Sequence, residues 1–230
     1  MALLVPVVCS TKGADLTSLP EGPEVSARRS FLRAFFHDLA TPLSAVSLHL
    51  EGANRRLLRG DDPKESLDIA RSELGRAFEL FEQGRELLLS RPAAREVFSF
   101  DEWVESAARQ LATDGVRVEG TTEGRVAADR SKLSEALSAL LVNALESGNP
   151  VSIGRARQDG RLQVRIENRG RLPGDDPEKL FAPRSSGAGK NWGMGLARAR
   201  LYAADAGGSV RLTQDGDRVV ATLELPEERV

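Results

Sequence analysis

His37 stands in the run Phe35-Phe36-His37-Asp38-Leu39-Ala40-Thr41-Pro42-Leu43 and is one of only two histidines in 230 residues. Imidazole is the side chain best suited to nucleophilic attack and proton exchange near neutral pH. Asp38 places a carboxylate beside it, able to take or orient a ring proton. Thr41 follows four residues later, so on a helix its hydroxyl stacks on the face that carries His37. The other histidine, His49, is twelve residues on, about 120° round a helix from His37, and has no such companions. It reads as a surface residue.

The elements that position His37 are legible from apolar spacing. Leu32, Phe36, Leu39, Leu43, Val46, Leu50, Ala53 and Leu57 recur at intervals of 4-3-4-3-4-3-4. That is a heptad seam, the pattern of a helix packed in a coiled coil or bundle. The seam is expected to face inward and His37, Asp38 and Thr41 to face water. Pro42 interrupts the helix interior, where it removes the donor to the Asp38 carbonyl and costs roughly 3 kcal/mol. A second seam follows Gly60-Asp61-Asp62-Pro63 through Leu67, Ala70, Leu74, Ala77, Phe81, Gly84 and Leu88. Asp62 suits an N-cap and Pro63 the first helical position. Two such helices form a hairpin with too little core alone. Two hairpins make a four-helix bundle, so a homodimer with two copies of His37 on its outside is expected.

The length allows two small domains. A net charge of -2 supplies no field for nucleic acid, and the single cysteine, Cys9, excludes an internal disulfide and suits a reducing cytoplasm. The apolar stretch of residues 2–9 is far shorter than the roughly 20 residues of a membrane span and has no basic leader. Residues 1–25 read as a tail and linker, residues 26–92 as the hairpin, and residues 96–228 as a second domain. No segment is long enough for a sensor domain, so any input is expected from a separate partner.

In the second domain the heptads give way to mixed signals. Phe98-Ser99-Phe100-Asp101 leads into a helix from near Asp101 to Leu111. Strands are expected at 116–118 and 125–128, and a long helix at 131–146 with Leu133, Leu137, Leu140, Leu141 and Ala144 inward. Strands at 151–157 and 162–167 flank Gln158-Asp159-Gly160, a hairpin turn signal. Residues 168–193 read as loop, 194–206 as a helix ending at Gly207-Gly208, and 210–213 with 219–225 as a final hairpin across Asp215-Gly216. The whole is a helical hairpin followed by an α+β two-layer sandwich.

His37-Asp38-Leu39-Ala40-Thr41-Pro42-Leu43 resembles the H-box of sensor histidine kinases, His-Asp/Glu-Leu-x-Thr/Asn-Pro-Leu, at every defining position. The element order beyond it resembles the ATP-binding domain that follows the bundle in that family, the fold shared with gyrase and the Hsp90 chaperones. The resemblance implies that His37 is the phosphoacceptor. It also implies that Asn143, in Leu140-Leu141-Val142-Asn143-Ala144-Leu145-Glu146, ligates Mg²⁺ beneath the triphosphate of ATP. The family often has a further asparagine one turn earlier, where this chain has Ala139. Val164 to Pro173 resembles the strand and turn Asp-x-Gly-x-Gly-Ile-Pro, with Asn168 for the adenine-binding aspartate, Gly170 retained and the second glycine absent. Losing a charge-assisted bond there costs about 1–2 kcal/mol, about tenfold in affinity. Leu180-Phe181-Ala182-Pro183 resembles the F-box, with Phe181 at the root of an ATP lid. In that lid Arg184 or Lys190 would meet the γ-phosphate. Gly193-Met194-Gly195-Leu196-Ala197 resembles the second glycine box, with Asn191 for its first glycine.

The reading preferred on these grounds is a cytoplasmic histidine kinase without a sensor domain. It would phosphorylate His37 from Mg-ATP and pass the group to a response-regulator receiver, with Thr41 orienting water for the reverse reaction. Two rivals stand: an ATP-independent histidine phosphotransferase with a degenerate nucleotide domain, and a non-enzymatic dimeric scaffold that binds a receiver.

Overall fold

The computed structural model describes residues 23–89, 94–110, 116–174, 176–182 and 193–228. Two long helices, α1 (Pro23–Arg59) and α2 (Lys64–Leu89), form the hairpin. Its turn is built as the residues dictate. Gly60 takes φ +78°, a left-handed conformation that glycine adopts without strain. Its N–H donates to the Leu57 carbonyl at 3.1 Å while the Asp61 N–H donates to that of Arg56 at 3.0 Å, a Schellman cap. The Asp62 carboxylate accepts from the Lys64 N–H at 2.9 Å and starts α2. α1 runs through Pro42 without a break, and the proline ring is buried.

The seam splits. Along α1, Phe31, Phe35 and Ala53 are buried and Leu39 and Val46 partly so, whereas Phe36, Leu43, Leu50 and Leu57 are between 44% and 62% exposed. On α2, Ala70, Ala77 and Gly84 are buried while Leu67, Leu74 and Phe81 stay exposed. In the single chain one row closes the hairpin, and the other, seven residues apart along each helix, faces out. Two antiparallel helices offer each other one face only, which leaves the second row uncovered. Inside, α1 and α2 approach closely because a Cβ on Gly84 would overlap the Phe35 ring.

The sandwich contains a five-stranded sheet in the order β2-β4-β5-β7-β6, from β2 (Val116–Glu119), β4 (Val151–Gln158), β5 (Arg161–Arg169), β6 (Ser209–Asp215) and β7 (Arg218–Pro226). Only the β2–β4 pair is parallel among these. Helices α3 (Phe100–Gln110), α4 (Arg130–Ser147) and α5 (Gly195–Asp205) supply buried faces to one shared core. α4 contributes Leu133, Leu137, Leu140, Leu141 and Ala144, and β5 contributes Leu162, Val164 and Ile166 at period two. Phe31 and Phe35 of α1 join that core, and Arg28 bonds Asp205 of α5 at 2.8 Å.

Three details differ from expectation. Glu96–Ser99 is a strand, β1, paired with β3 (Arg125–Ala128), because its hydrogen-bond partners lie some thirty residues on. β5 extends to Arg169, and Pro177–Phe181 forms a 3-10 helix whose cap is Asp176, within a stretch read as loop. The β6–β7 turn uses Gly216 and Asp217, with Asp215 paired to Arg218. The Asp159-Gly160 turn has both residues at positive φ, 51° and 72°, as a two-residue hairpin of type I′ requires.

Candidate phosphoacceptor and nucleotide cleft

His37 occupies the exposed face of α1, its side chain 83% exposed. Its Nδ1 lies 3.2 Å from Oδ1 of Asp38, whose side chain is only 21% exposed. The Thr41 hydroxyl donates to the His37 carbonyl oxygen at 3.4 Å, one turn along the same face. The three polar residues of the H-box thus form one group, brought together by adjacency and by the i,i+4 spacing.

The second group lines part of an open cleft of about 1270 Å³ that runs over α4 from Gln83, Ser106 and Gln110 to the β5 exit and the start of α5. Asn143 lines it from α4; Gly193 and Gly195 line it from the turn into α5. Gly193 takes φ +64°, a conformation strained for any residue with a Cβ. A Cβ on Gly195 would lie 3.6 Å from that of Ala139, so the turn sits directly on α4. Met194 caps α5 without a side-chain hydrogen bond. Among the described residues the first turn therefore has no side-chain cap from its N-cap position, which is the arrangement a helix terminus offers to phosphate.

Asn168, Gly170 and Phe181 do not line the cleft. Asn168 continues the inward alternation of β5 and is 3% exposed, with Nδ2 donating to the Arg169 carbonyl at 3.0 Å. Gly170 lies against it: a Cβ there would be 3.2 Å from Asn168 Nδ2 and 3.4 Å from the Ser147 carbonyl oxygen. Leu172 and Pro173, next in sequence, do line the cleft. Phe181 is buried beneath the Arg200 guanidinium, 4.4 Å from its ring centre, while Arg200 bonds Glu178 at 2.6 Å. Leu180 faces the cleft in its place. Lys190, Arg184 and Asn191 lie outside the described residues.

Residues fit for Mg²⁺ and ATP are present at the α4 side: the amide oxygen of Asn143, with the Glu146 carboxylate and Ser147 hydroxyl on the same helix face, all lining the cleft. Hard oxygen donors of this kind suit a magnesium ion that keeps water and phosphate ligands. Several cleft residues had not been singled out from sequence, among them Glu135, Ser138 and Arg198. Those on α4 fall on the face opposite its leucines, so helical period alone identifies them.

Residues 128–229 match the family model "Histidine kinase-, DNA gyrase B-, and HSP90-like ATPase", a span that contains Asn143, Asn168, Gly170, Phe181, Lys190, Gly193 and Gly195. The sensor-like histidine kinase SenX3 of Mycolicibacterium smegmatis is 30% identical over 227 residues, covering 88% of this chain. The chain spans 58% of that relative's length. Among solved structures, the Acinetobacter baumannii histidine kinase AdeS is similar with a TM-score of 0.53 and 21% identity, over 84% of this chain and 98% of that one. The histidine kinase ThkA, in complex with response regulator protein TrrA, is similar with a TM-score of 0.53 and 23% identity, over 89% of this chain and 61% of that one. Both likenesses are of fold. The matched ATPase model, the curated relative and the H-box geometry lead to one assignment: the chain belongs to the two-component histidine kinase family.

Proposed function

We propose that the protein is a cytoplasmic histidine kinase that phosphorylates His37 from Mg-ATP and passes the group to an aspartate of a response-regulator receiver domain. The observation that carries this reading is the His37–Asp38 contact on a helix exposed to partners, in a chain that also holds an ATPase-type cleft. In this mechanism the Nε2 lone pair attacks the γ-phosphorus. The bond from phosphorus to the bridging oxygen breaks, and its electron pair leaves with ADP. Asp38 accepts the Nδ1 proton, so the ring does not accumulate positive charge. Phosphoryl transfer otherwise needs positioning and charge neutralisation. Asn143 would hold Mg²⁺, which screens the phosphate oxygens when bound, and Gly193, Gly195 and Lys190 would cradle the phosphates. Asn168, Gly170 and Phe181 would shape the adenine end and the root of the lid. Thr41 would orient water for the reverse reaction.

Residues 26–92 serve in this reading as the dimerisation and phosphoacceptor unit and residues 96–228 as the nucleotide unit, after a tail of residues 1–25. The outward row of Phe36, Leu43, Leu50 and Leu57 supports a homodimer, since apolar residues repeated every seven positions suit a second hairpin. Transfer of label from γ-labelled ATP to the wild type but not to His37→Gln tests the reading.

One observation favours a second reading. The Asn168 amide nitrogen donates to the Arg169 carbonyl, and the residue is buried and does not line the cleft. A nucleotide unit without a base-reading carboxylate fits an ATP-independent histidine phosphotransferase, which takes its phosphoryl group from one receiver and gives it to another.

A further inference from the structure

Arg198 lies in the first turn of α5, three residues past Gly195, and lines the cleft. Its Nε is buried and has no hydrogen-bond partner among the described residues. Its one ionic neighbour among them is Glu135, with Nη1 3.8 Å from Oε2, which is too long for a hydrogen bond. The Nε atoms of Arg28 and Arg155 are also without hydrogen-bond partners among the described residues, but those side chains are committed elsewhere, Arg28 Nε facing Glu24 at 3.5 Å. Arg28 reaches Asp205 at 2.8 Å, and Arg155 reaches Asp101 and Glu105 at 3.2 Å each. Among the described residues Arg198 has no comparable bond. A guanidinium presents five donors in a planar fork suited to a phosphate group. A buried donor left without a partner is costly, so a ligand that meets it is favoured.

Its place along the cleft says which part of a ligand it meets. Glu135, Ala139 and Asn143 follow one another at one-turn intervals on α4. Gly195 packs beside Ala139 and Arg198 beside Glu135. Asn168, Gly170 and Ser147 cluster at the opposite, C-terminal end of α4. A nucleotide with its base near that end and its phosphates passing Asn143 and the glycine turn would finish at Arg198. We infer that Arg198 binds the terminal phosphate of ATP and makes the cleft distinguish ATP from ADP, with Glu135 holding the guanidinium until the phosphate arrives. The inference rests on the nucleotide-binding reading above and adds to it the residue that senses the third phosphate.

Calorimetric titration of the full chain with Mg-ADP and with a non-hydrolysable Mg-ATP analogue tests it. Arg198→Gln is expected to weaken the ATP analogue about tenfold or more, the scale of a charge-assisted bond, with ADP affinity changed less than about twofold. Arg198→Lys, which keeps the charge without the fork, is expected to retain part of the difference. Glu135→Gln, which frees the guanidinium, is expected to tighten the ATP analogue relative to ADP. Equal losses for both nucleotides in Arg198→Gln, or no loss, overturn the inference. If Arg198→Gln does not fold, Glu135→Gln decides, and an unchanged ATP-to-ADP ratio overturns it. Wild-type protein that binds ADP and the ATP analogue equally refutes the role of Arg198 alone, whereas wild type that binds neither refutes the nucleotide site itself.

Discussion

Nδ1 of His37 lies 3.2 Å from Oδ1 of Asp38, its neighbour in sequence. The contact commits one ring nitrogen to a carboxylate and leaves the other on a side chain that is 83% exposed. A partner approaching from solvent therefore meets Nε2. The phosphoryl group is expected on Nε2, and the ³¹P and ¹⁵N spectra of the phosphorylated protein check the position. Asp38→Asn keeps the shape but removes the proton acceptor. It is expected to slow phosphorylation of His37 by about 10²-fold or more, the scale of general-base catalysis, with nucleotide affinity unchanged. A variant as fast as the wild type would remove Asp38 from the mechanism.

The outward apolar row makes a prediction about assembly. Leu43 and Leu50 are 44% and 48% exposed on a single chain, and burying what remains exposed of each stabilises by about 1 kcal/mol. Leu43→Glu combined with Leu50→Glu is expected to convert a dimer to a helical monomer, read by sedimentation equilibrium and circular dichroism. A wild type that is monomeric at micromolar concentration contradicts the four-helix arrangement.

Gly84 tests the inner row. Any side chain there meets the Phe35 ring, which is packed against Phe31 at 5.7 Å between ring centres. Gly84→Val is expected to destabilise the protein by about 1–3 kcal/mol through overpacking, measured as a lower urea midpoint with an unchanged slope. Replacement of the exposed Gly75, where a Cβ meets nothing within 4 Å, is expected to cost no stability.

Asn168 carries a two-sided prediction. Asn168→Asp restores a charged acceptor at the proposed base-binding end, so ATP affinity is expected to rise about tenfold. The same change sets a carboxylate against the Arg169 carbonyl that now accepts the amide proton. Stability without nucleotide is then expected to fall by about 1–3 kcal/mol. A loss of stability with no gain in affinity would separate Asn168 from the nucleotide altogether.

Tyr202 predicts an alkaline limit. Its hydroxyl is pushed above the usual tyrosine value, first by burial and then by Glu135, with Arg198 acting in the opposite sense. The raised folded-state value means the neutral form is favoured in the folded protein. Its contribution is complete below the unfolded value of about 10 and is lost as pH rises beyond it. Tyr202→Phe is expected to flatten the fall in stability above about pH 10, measured by thermal unfolding across that range.

Much of this was readable from residue order. The H-box group follows from adjacency and helical spacing, and the hairpin turn from Gly60, Asp62 and Pro63, because both depend on neighbours within four residues. The split of the heptad seam was not readable, since Phe36 and Leu39 carry the same apolar signal and only the position of α2 decides which is covered. β1 was missed because a four-residue strand is specified by its partner β3, not by its own pattern. The part played by Arg198 was hidden for a related reason. Its orphaned Nε appears only when α4 and α5 are set side by side.

Incubation of the purified protein with γ-labelled ATP and Mg²⁺ tests the central claim most directly. The account predicts acid-labile label on the wild type, none on His37→Gln, and its passage to a receiver aspartate. An unlabelled wild type that nevertheless takes label from a phosphorylated receiver would contradict the kinase and establish the phosphotransferase.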